Sequence, residues 1–382
     1  MNLRSAISFI LWQLLLCSIV VPQANSQTVK KAANWLIYHS VIDTVPPGKP
    51  SFRIYPTVAY SPETSVELGI SSLYIFQAKG DTVNRLSELT GFAFVTLENQ
   101  YGLWIDNAIY THHDNWFILG RNRFQRFPLL YYGVGPHTSA EHPAVVDAGY
   151  LMLRQRVLRK VVPNLFIGPE VDYQYLFGTN IKYEDEDQIR EVPKGSEGSG
   201  NLGLGGAIVY DNRHNVLNVR KGLFAEIGFL SYSRALTSDY SFTGINADVR
   251  GYHPMGKNVL AWQMVGNFYN GEVPFNQMAL MGGETMMRGY YYGRYRDNTM
   301  VAGQAEYRML PLPFSKRIGA AFFGGAAAVA PTVGKLSTSG IKLAGGAGIR
   351  YLLFPKKDIF VRLDVGFTRE GFGFYFFTGE AF

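Results

Sequence analysis

Cysteine is almost absent from this chain of 382 residues, which contains only Cys17. Cys17 lies in an apolar N-terminal segment that we expect to be removed, so the mature protein is predicted to contain no cysteine. Disulfide bonds are therefore excluded as the source of its stability. A lipoprotein is also disfavoured, because the residue before the cysteine, Leu16, is not small.

Long apolar runs are missing beyond the N-terminus. No later segment offers the roughly 18 consecutive apolar residues that a membrane-spanning helix needs. The nearest candidate, residues 318–334, is uncharged but is interrupted by Gly324, Gly325 and Pro331. We therefore predict a strand in this region rather than a helix.

Charge of one sign is not in large excess, since 36 Lys and Arg residues face 30 Asp and Glu residues. The basic residues are spread along the chain and form no compact stretch with interleaved aromatic residues. Such a stretch is typical of nucleic-acid-binding proteins. We expect no nucleic-acid partner.

Catalytic signatures are lacking as well. The hydrolase motif Gly-x-Ser-x-Gly does not occur, and His214 and Ser231, the candidate pair, have no nucleophile motif around them. The glycine-rich runs 202–206 and 344–348 lack the Lys-Ser/Thr pair of a phosphate-binding loop. We predict that the protein is not an enzyme and uses no cofactor.

Two short clusters have the residue types of metal ligands but not the spacing. His112, His113 and Asp114 are consecutive, and neighbouring side chains on an extended chain point in opposite directions. The acidic run from Glu184 to Asp187 lacks the spacing of a calcium loop. We interpret both clusters as solvated and predict no metal site.

The N-terminus has the parts of a secretory signal. Arg4 supplies the positive start, residues 6–21 are apolar, and Ala24-Asn25-Ser26 forms a small-residue cleavage site. We predict a signal peptide over 1–26, a short periplasmic lead-in over 27–50 and one further domain over 51–382.

Polar and apolar residues alternate along most of the predicted domain. In the run 299–310, Glu306 and Arg308 lie on one face, and Val301 and Tyr307 lie on the other. A period of two indicates strands with one polar and one apolar face.

The composition indicates where the apolar face lies. Almost no helical segment is available to cover it, aromatic residues make up 14% of the chain, and there are 41 glycines. We predict an all-β fold: a transmembrane antiparallel β-barrel of about 16 strands, with lipid outside and a charged lumen. An exported soluble β-sandwich is the alternative.

Three connections stand out by length, at residues 127–144, 179–200 and 271–298. In a barrel with an even number of strands, short and long connections alternate between the two ends. We therefore expect these three loops on the same, extracellular side, with the loop 271–298 folded inward.

Several segments together resemble the BamA/TamA outer-membrane family, the bacterial surface antigen barrels that insert or translocate proteins. The similarity covers residues 200–382 well and 51–180 loosely. It rests on Met287-Arg288-Gly289-Tyr290 in the loop, Glu306-Tyr307-Arg308 in the next strand, Tyr210-Asp211-Asn212-Arg213 in mid-barrel, and Arg362-Leu363-Asp364-Val365-Gly366 in the penultimate strand.

The resemblance implies a loop latch, by which we mean Arg288, Gly289 and Tyr290 together with the acids Glu306 and Asp364. Arginine offers a planar fork to carboxylates, and glycine allows the backbone to approach the wall closely. Family members often have an acid in the strand after the Glu-Tyr-Arg run, but residues 322–326 here contain none.

The resemblance also implies a weak seam, the boundary between the first and last strands. The last strand, predicted over 371–382, contains Gly371 and Gly373 and ends at Phe382. Its expected partner is the strand near Tyr55. A client strand would pair with the edge that opens there.

The predicted function follows from this resemblance. We expect an outer-membrane protein of a Gram-negative-type bacterium that acts in protein insertion or translocation. A passive pore or structural barrel is the alternative. The expected partners are membrane lipid, lipopolysaccharide and client outer-membrane or secreted proteins. About 25 residues precede the first strand after the signal, so we expect no periplasmic repeat domains, which leaves room for a separate periplasmic partner.

Overall fold

The computed structural model describes residues 49–382, with the exception of 62–64, 83, 97–99, 127, 184–191, 214–217 and 355–357. The predicted signal peptide, most of the lead-in, the acidic run from Glu184 to Asp187 and His214 therefore lie outside the described residues.

Nineteen strands and five short 3-10 turns account for the regular structure of the described residues. The strands are β1 Ser51–Ser61, β2 Ser65–Gln77, β3 Leu86–Thr96, β4 Tyr101–Tyr110, β5 Trp116–Arg126, β6 Leu129–Tyr131, β7 Ala144–Val162, β8 Leu165–Lys182, β9 Ser199–Asp211, β10 Gly222–Tyr232, β11 Phe242–Met255, β12 Asn258–Gly271, β13 Ala279–Met281, β14 Tyr295–Asp297, β15 Thr299–Met309, β16 Ile318–Ala330, β17 Lys342–Phe354, β18 Ile359–Thr368 and β19 Gly371–Thr378. The turns are Ala78–Gly80, His112–Asp114, Arg234–Leu236, Val333–Lys335 and Thr338–Gly340.

Seventeen of the described strands form one antiparallel sheet that curls into a nearly closed barrel. The strands of this sheet pair in chain order, with β12 joined to β15 across the hairpin of β13 and β14, and β1 meets β19. The short β6 pairs with β7 beyond the point where β5 stops, so β5 and β6 occupy one row and the barrel has 16 rows. The prediction of an all-β antiparallel barrel of about 16 strands is confirmed.

Strand alternation separates the two faces of the wall as the sequence pattern predicts. Outward positions carry apolar side chains that are well exposed, such as Leu153 on β7 and Ile227 on β10. Inward positions carry buried charges, such as Arg156 on β7 and Glu170 on β8. This distribution is the one that places lipid outside and the polar groups in the lumen.

Strand order fixes which connections share an end of the barrel. The loops 127–144, 179–200 and 271–298 all follow odd-numbered rows and lie at the same end, whereas the two-residue turns 163–164 and 256–257 lie at the opposite end. Assignment of the first end to the extracellular side remains a prediction. None of the helical turns in the described part of the chain is long and apolar enough to span a membrane.

The last strand is shorter than the sequence analysis predicts. We expected it to run to Phe382, but β19 ends at Thr378. Gly379 follows with a φ of 89°, a left-handed conformation that breaks the extended backbone and redirects residues 380–382.

Candidate functional site

Residues 271–298 contact the inward face of the barrel through a small hairpin and the arginine motif. β13 and β14 pair with each other, from Ala279 opposite Asp297 to Met281 opposite Tyr295. Between them lies Arg288, whose side chain is completely buried. The hairpin thus delivers a charged group to a place that solvent does not reach.

Arg288 bridges two strands of the wall. One terminal nitrogen of its guanidinium donates to Glu306 on β15 and the other donates to Asp364 on β18, both at 2.5 Å. Both carboxylates are themselves buried. The structure therefore brings together the arginine and the two acids that the sequence analysis selected.

The two acids are shared with three further arginines. Glu306 also accepts from Arg308 at 3.0 Å and from Arg350 at 2.9 Å. Asp364 also accepts from Arg350 and from Arg362. The guanidinium of Arg362 reaches back to the loop, because it donates to the carbonyl oxygen of Glu284 at 3.1 Å.

Glycine is required on both sides of the loop–wall contact. Gly289 has a φ of 110° and donates its backbone N–H to the Tyr375 hydroxyl on β19 at 2.8 Å. On the wall, a Cβ added to Gly366 would lie 2.4 Å from the carbonyl oxygen of Arg288. The backbones of the loop and of β18 are therefore in direct contact.

Apolar side chains of the loop pack around the charged contact. Met281, Met287, Tyr290 and Tyr295 form a buried cluster with the inward face of β15 and β16. The ring of Tyr290 meets Tyr295 edge to face at 5.8 Å between centroids. Tyr290 thus belongs to the apolar packing of the loop against the wall.

The strand that lacks the expected acid supplies an aromatic ring instead. The Arg288 guanidinium carbon lies 3.5 Å from the ring centroid of Phe323 on β16. A ring face attracts a guanidinium most strongly when water is excluded. Phe323 therefore occupies the place where an acid was expected, and the second carboxylate comes from Asp364.

Among the described residues, the seam has the fewest paired residues of the boundaries between neighbouring rows of the barrel. Between β1 and β19, the described register contains the single pair Tyr60–Phe376, whereas β18 and β19 pair over their whole length. The side chain of Tyr55 also bonds those of Ser71 and Thr378. Gly371 and Gly373 pair with Thr368 and Gly366 of β18.

A cavity of about 270 Å³ lies beside this boundary. It is lined by residues of β1–β4 and by the end of β19: Tyr55, Ser71, Thr90, Phe92, Trp104, Asp106 and Thr378. The space lies on the inner side of the strands next to the seam.

Residues 380–382 fold against the inside of the barrel. Glu380 accepts from Arg350 at 3.2 Å, and the carbonyl oxygen of Phe382 accepts from Arg308 at 2.9 Å. The Phe382 ring packs near Tyr252 on β11. Phe382 is therefore a lumen contact and not, as we expected, the end of the last strand.

Sequence reasoning missed two arginines of the loop, Arg294 and Arg296. Arg294 binds both carboxylate oxygens of Glu370 and also Thr138 in the loop 127–144. Arg296 donates to the carbonyl oxygens of Leu130 and Phe275. The sequence contains a signal for both residues, because they lie two positions apart in a Gly-Arg-Tyr-Arg run. Alternate residues of an extended chain share a face, so this spacing predicts two arginines on one side of the loop.

Burial affects the acidity of Arg296, which is enclosed by loop residues outside the membrane-spanning strands. Removal from water lowers the pKa of its guanidinium to about 10. The guanidinium still carries its charge at neutral pH. It can therefore join the loops 127–144 and 271–298 by hydrogen bonds to backbone carbonyl oxygens of both.

The other candidates that the structure describes lie in a turn and in a strand of the wall. His112 and His113 lie in a tight turn with their rings 3.8 Å apart, and Asp114 pairs with Arg85. Ser231 lies in β10. The described residues contain no group of three or more His, Cys, Asp or Glu side chains that could hold a metal ion.

A family model decides the relationship of the chain. The Omp85 superfamily domain matches residues 170–382, which is more than half of the chain. The chain belongs to the Omp85 superfamily. The matched region contains the arginine loop, its two acids and β19, and the family assigns the barrel to the outer membrane.

Solved structures with a similar fold agree with this assignment. BamA from Haemophilus ducreyi lacking POTRA domains 1–3 matches with a TM-score of 0.53 and 15% identity over 86% of this chain and 70% of that one. CdiB from Acinetobacter baumannii matches with a TM-score of 0.52 and 9% identity over 86% of this chain and 59% of that one. No curated protein sequence matches this chain.

Proposed function

We propose that this Omp85 barrel inserts or translocates proteins at the outer membrane by opening between β1 and β19. The observation that carries the proposal is the seam, where a single pair of described residues joins β1 to β19, although each of these strands pairs with its other neighbour over its full length. Few backbone hydrogen bonds must break there, and the freed edge can then pair with a client strand.

The loop latch would brace the closed state. Arg288 connects β15 to β18, and the neighbouring Gly289 bonds Tyr375 on β19, which is one of the two seam strands. Release of this contact would loosen β18 and β19 together. The roles of Arg288, Gly289, Tyr290, Glu306 and Asp364 in gating are part of this proposal.

A passive pore is the competing function, and the packing of the loop favours insertion over it. A wide channel needs open water in the lumen, but loop residues such as Met287 and Tyr290 are buried against β15 and β16. A loop packed in this way narrows the path along which ions would pass.

Reconstitution separates the two functions. The purified protein is placed in lipid vesicles, and a small outer-membrane barrel unfolded in urea is added as the client. We expect the client to fold at least tenfold faster than with empty vesicles, and we expect little steady conductance. Unchanged client folding together with a steady conductance would establish the pore and refute the insertion proposal.

A further inference from the structure

A cluster of amide side chains interrupts the apolar outer wall on β4, β5 and β7. Asn107, Asn122 and Gln155 occupy outward registers, because the inward positions of these strands carry residues such as Asp106, Arg123 and Arg156. We call these three amides the outer amide patch. Amides at lipid-facing positions are costly, since hydrocarbon offers them no hydrogen bonds.

The patch lies midway up the wall rather than at a membrane surface. On β5 the outward positions run from Trp116 at one end to Arg126 at the other. Asn122 lies between them, and Gln155 and Asn107 both stand opposite Gly120. The patch therefore lies at the level of the hydrocarbon core, where a bilayer contains the least water.

The amides bond one another but leave capacity unused. The Gln155 side-chain nitrogen donates to the side-chain oxygens of Asn107 and Asn122, both at 3.2 Å. Asn107 donates one N–H to the carbonyl oxygen of Ile118, and Asn122 donates one to that of Ile105. Each asparagine retains a second N–H, and the Gln155 oxygen accepts from none of the described residues.

The surroundings suit a tight contact. Gly120 has no side chain of its own, and a Cβ there would collide with Gln155 and Asn107, so the amides lie directly on the backbone. Leu153 and Val157 flank the patch, each more than 40% exposed. In contacts between membrane-spanning helices, small residues allow close approach and amides bond across the interface, and the outer amide patch combines the same two features.

We propose that the outer amide patch is a contact between two copies of this chain in the membrane. The patch presents unused donors and an unused acceptor side by side, so it is complementary to itself across a two-fold axis. In such a contact the Gln155 oxygen of each copy accepts from an asparagine N–H of the other. The patch involves neither β1 nor β19, so both seams of a dimer stay free.

Chemical cross-linking in vesicles tests this contact. In a Cys17→Ser background, Leu153→Cys is placed beside the patch and Ile227→Cys on β10 serves as an outward control of similar exposure. A short bismaleimide should join two Leu153→Cys copies at least tenfold faster than two Ile227→Cys copies. Heat-modified migration in gels verifies that every variant is folded.

Variants of the patch distinguish a specific contact between two copies from random collision of copies in the membrane. Gln155→Leu should reduce cross-linking at position 153 at least tenfold, whereas the adjacent apolar exchange Val157→Leu should leave it unchanged. Equal cross-linking at 153 and 227, or cross-linking at 153 that survives Gln155→Leu, would overturn the proposal. This experiment measures association of two copies and not client folding. A negative result would therefore overturn the dimer contact without bearing on the proposed insertion function.

Discussion

At the scale of single residues, the site is a charge network in which each carboxylate pairs with more than one arginine. Among the described residues, four buried guanidinium groups face three carboxylates, namely Arg288, Arg308, Arg350 and Arg362 with Glu306, Asp364 and Glu380. Removal of Arg288 leaves equal numbers of both signs. Removal of Glu306 leaves four cations for two acids.

This imbalance predicts unequal effects of mutation. Glu306→Gln should lower the free energy of unfolding by about 3–5 kcal/mol, as expected for a broken buried pair, and less where water enters. Arg288→Met should cost about 1–3 kcal/mol, because the acids keep other partners. Urea unfolding in detergent measures both. The double variant should be more stable than the sum of the two losses predicts.

An exposed ion pair supplies the control for this cycle. Arg234 and Glu272 pair at 2.7 Å with both side chains largely in solvent. Arg234→Met should change the free energy of unfolding by only ~0–1 kcal/mol. Strictly additive losses at Arg288 and Glu306, or losses no larger than that of Arg234→Met, would show that no latch exists.

At the scale of elements, close backbone packing as well as ion pairs hold the loop 271–298 against the barrel wall. Gly366 of β18 allows the Arg288 carbonyl to approach. The ion pair between Arg288 and Asp364 beside this contact joins residues 76 positions apart in the chain. Sequence alternation cannot reveal such a contact, since it depends on how far the barrel curls.

The charge-neutral variant Gly366→Ala isolates this contribution. Its Cβ would lie 2.4 Å from the Arg288 oxygen, so the loop must shift, at a cost of about 1–3 kcal/mol. Protease cleavage within 271–298 should become faster. Gly334→Ala, whose Cβ meets nothing within 4 Å, should leave the rate unchanged. Equal rates in both variants would contradict close docking of the loop.

Much of the fold and part of the site could be predicted because the information is local. Side chains alternate with a period of two, so the faces of β15 and β18 can be read from the sequence, and with them the acids Glu306 and Asp364. The partners of Phe323, Arg308 and Arg350, and the inward fold of residues 380–382, could not be predicted in the same way. Their contacts join strands across the lumen, and only the closed register brings them together.

At the scale of the whole molecule, the two ends of the barrel differ, and family membership alone does not establish which end of this chain faces outside the cell. Its three long connections share one end, and the two-residue turns 163–164 and 256–257 lie at the other. We expect the long connections outside the cell. This orientation would place residues 380–382 at the periplasmic end.

Cysteine labelling of intact cells tests the orientation. In the Cys17→Ser background, Ser139→Cys in the loop 127–144 and Glu197→Cys in the loop 179–200 should react with an impermeant maleimide. Lys257→Cys, in the turn between β11 and β12, should react only after the outer membrane is broken. Labelling of position 257 with protection of the other two would reverse the orientation.

The most direct test of the account is to lock the seam. Tyr60 and Phe376 are paired across β1 and β19, so Tyr60→Cys with Phe376→Cys should form a disulfide. The control is Ile208→Cys with Ile227→Cys, paired across β9 and β10. Oxidation of the seam pair should stop client folding in vesicles and leave the barrel folded, and oxidation of the control pair should change nothing. Full client folding by the locked seam would contradict the account.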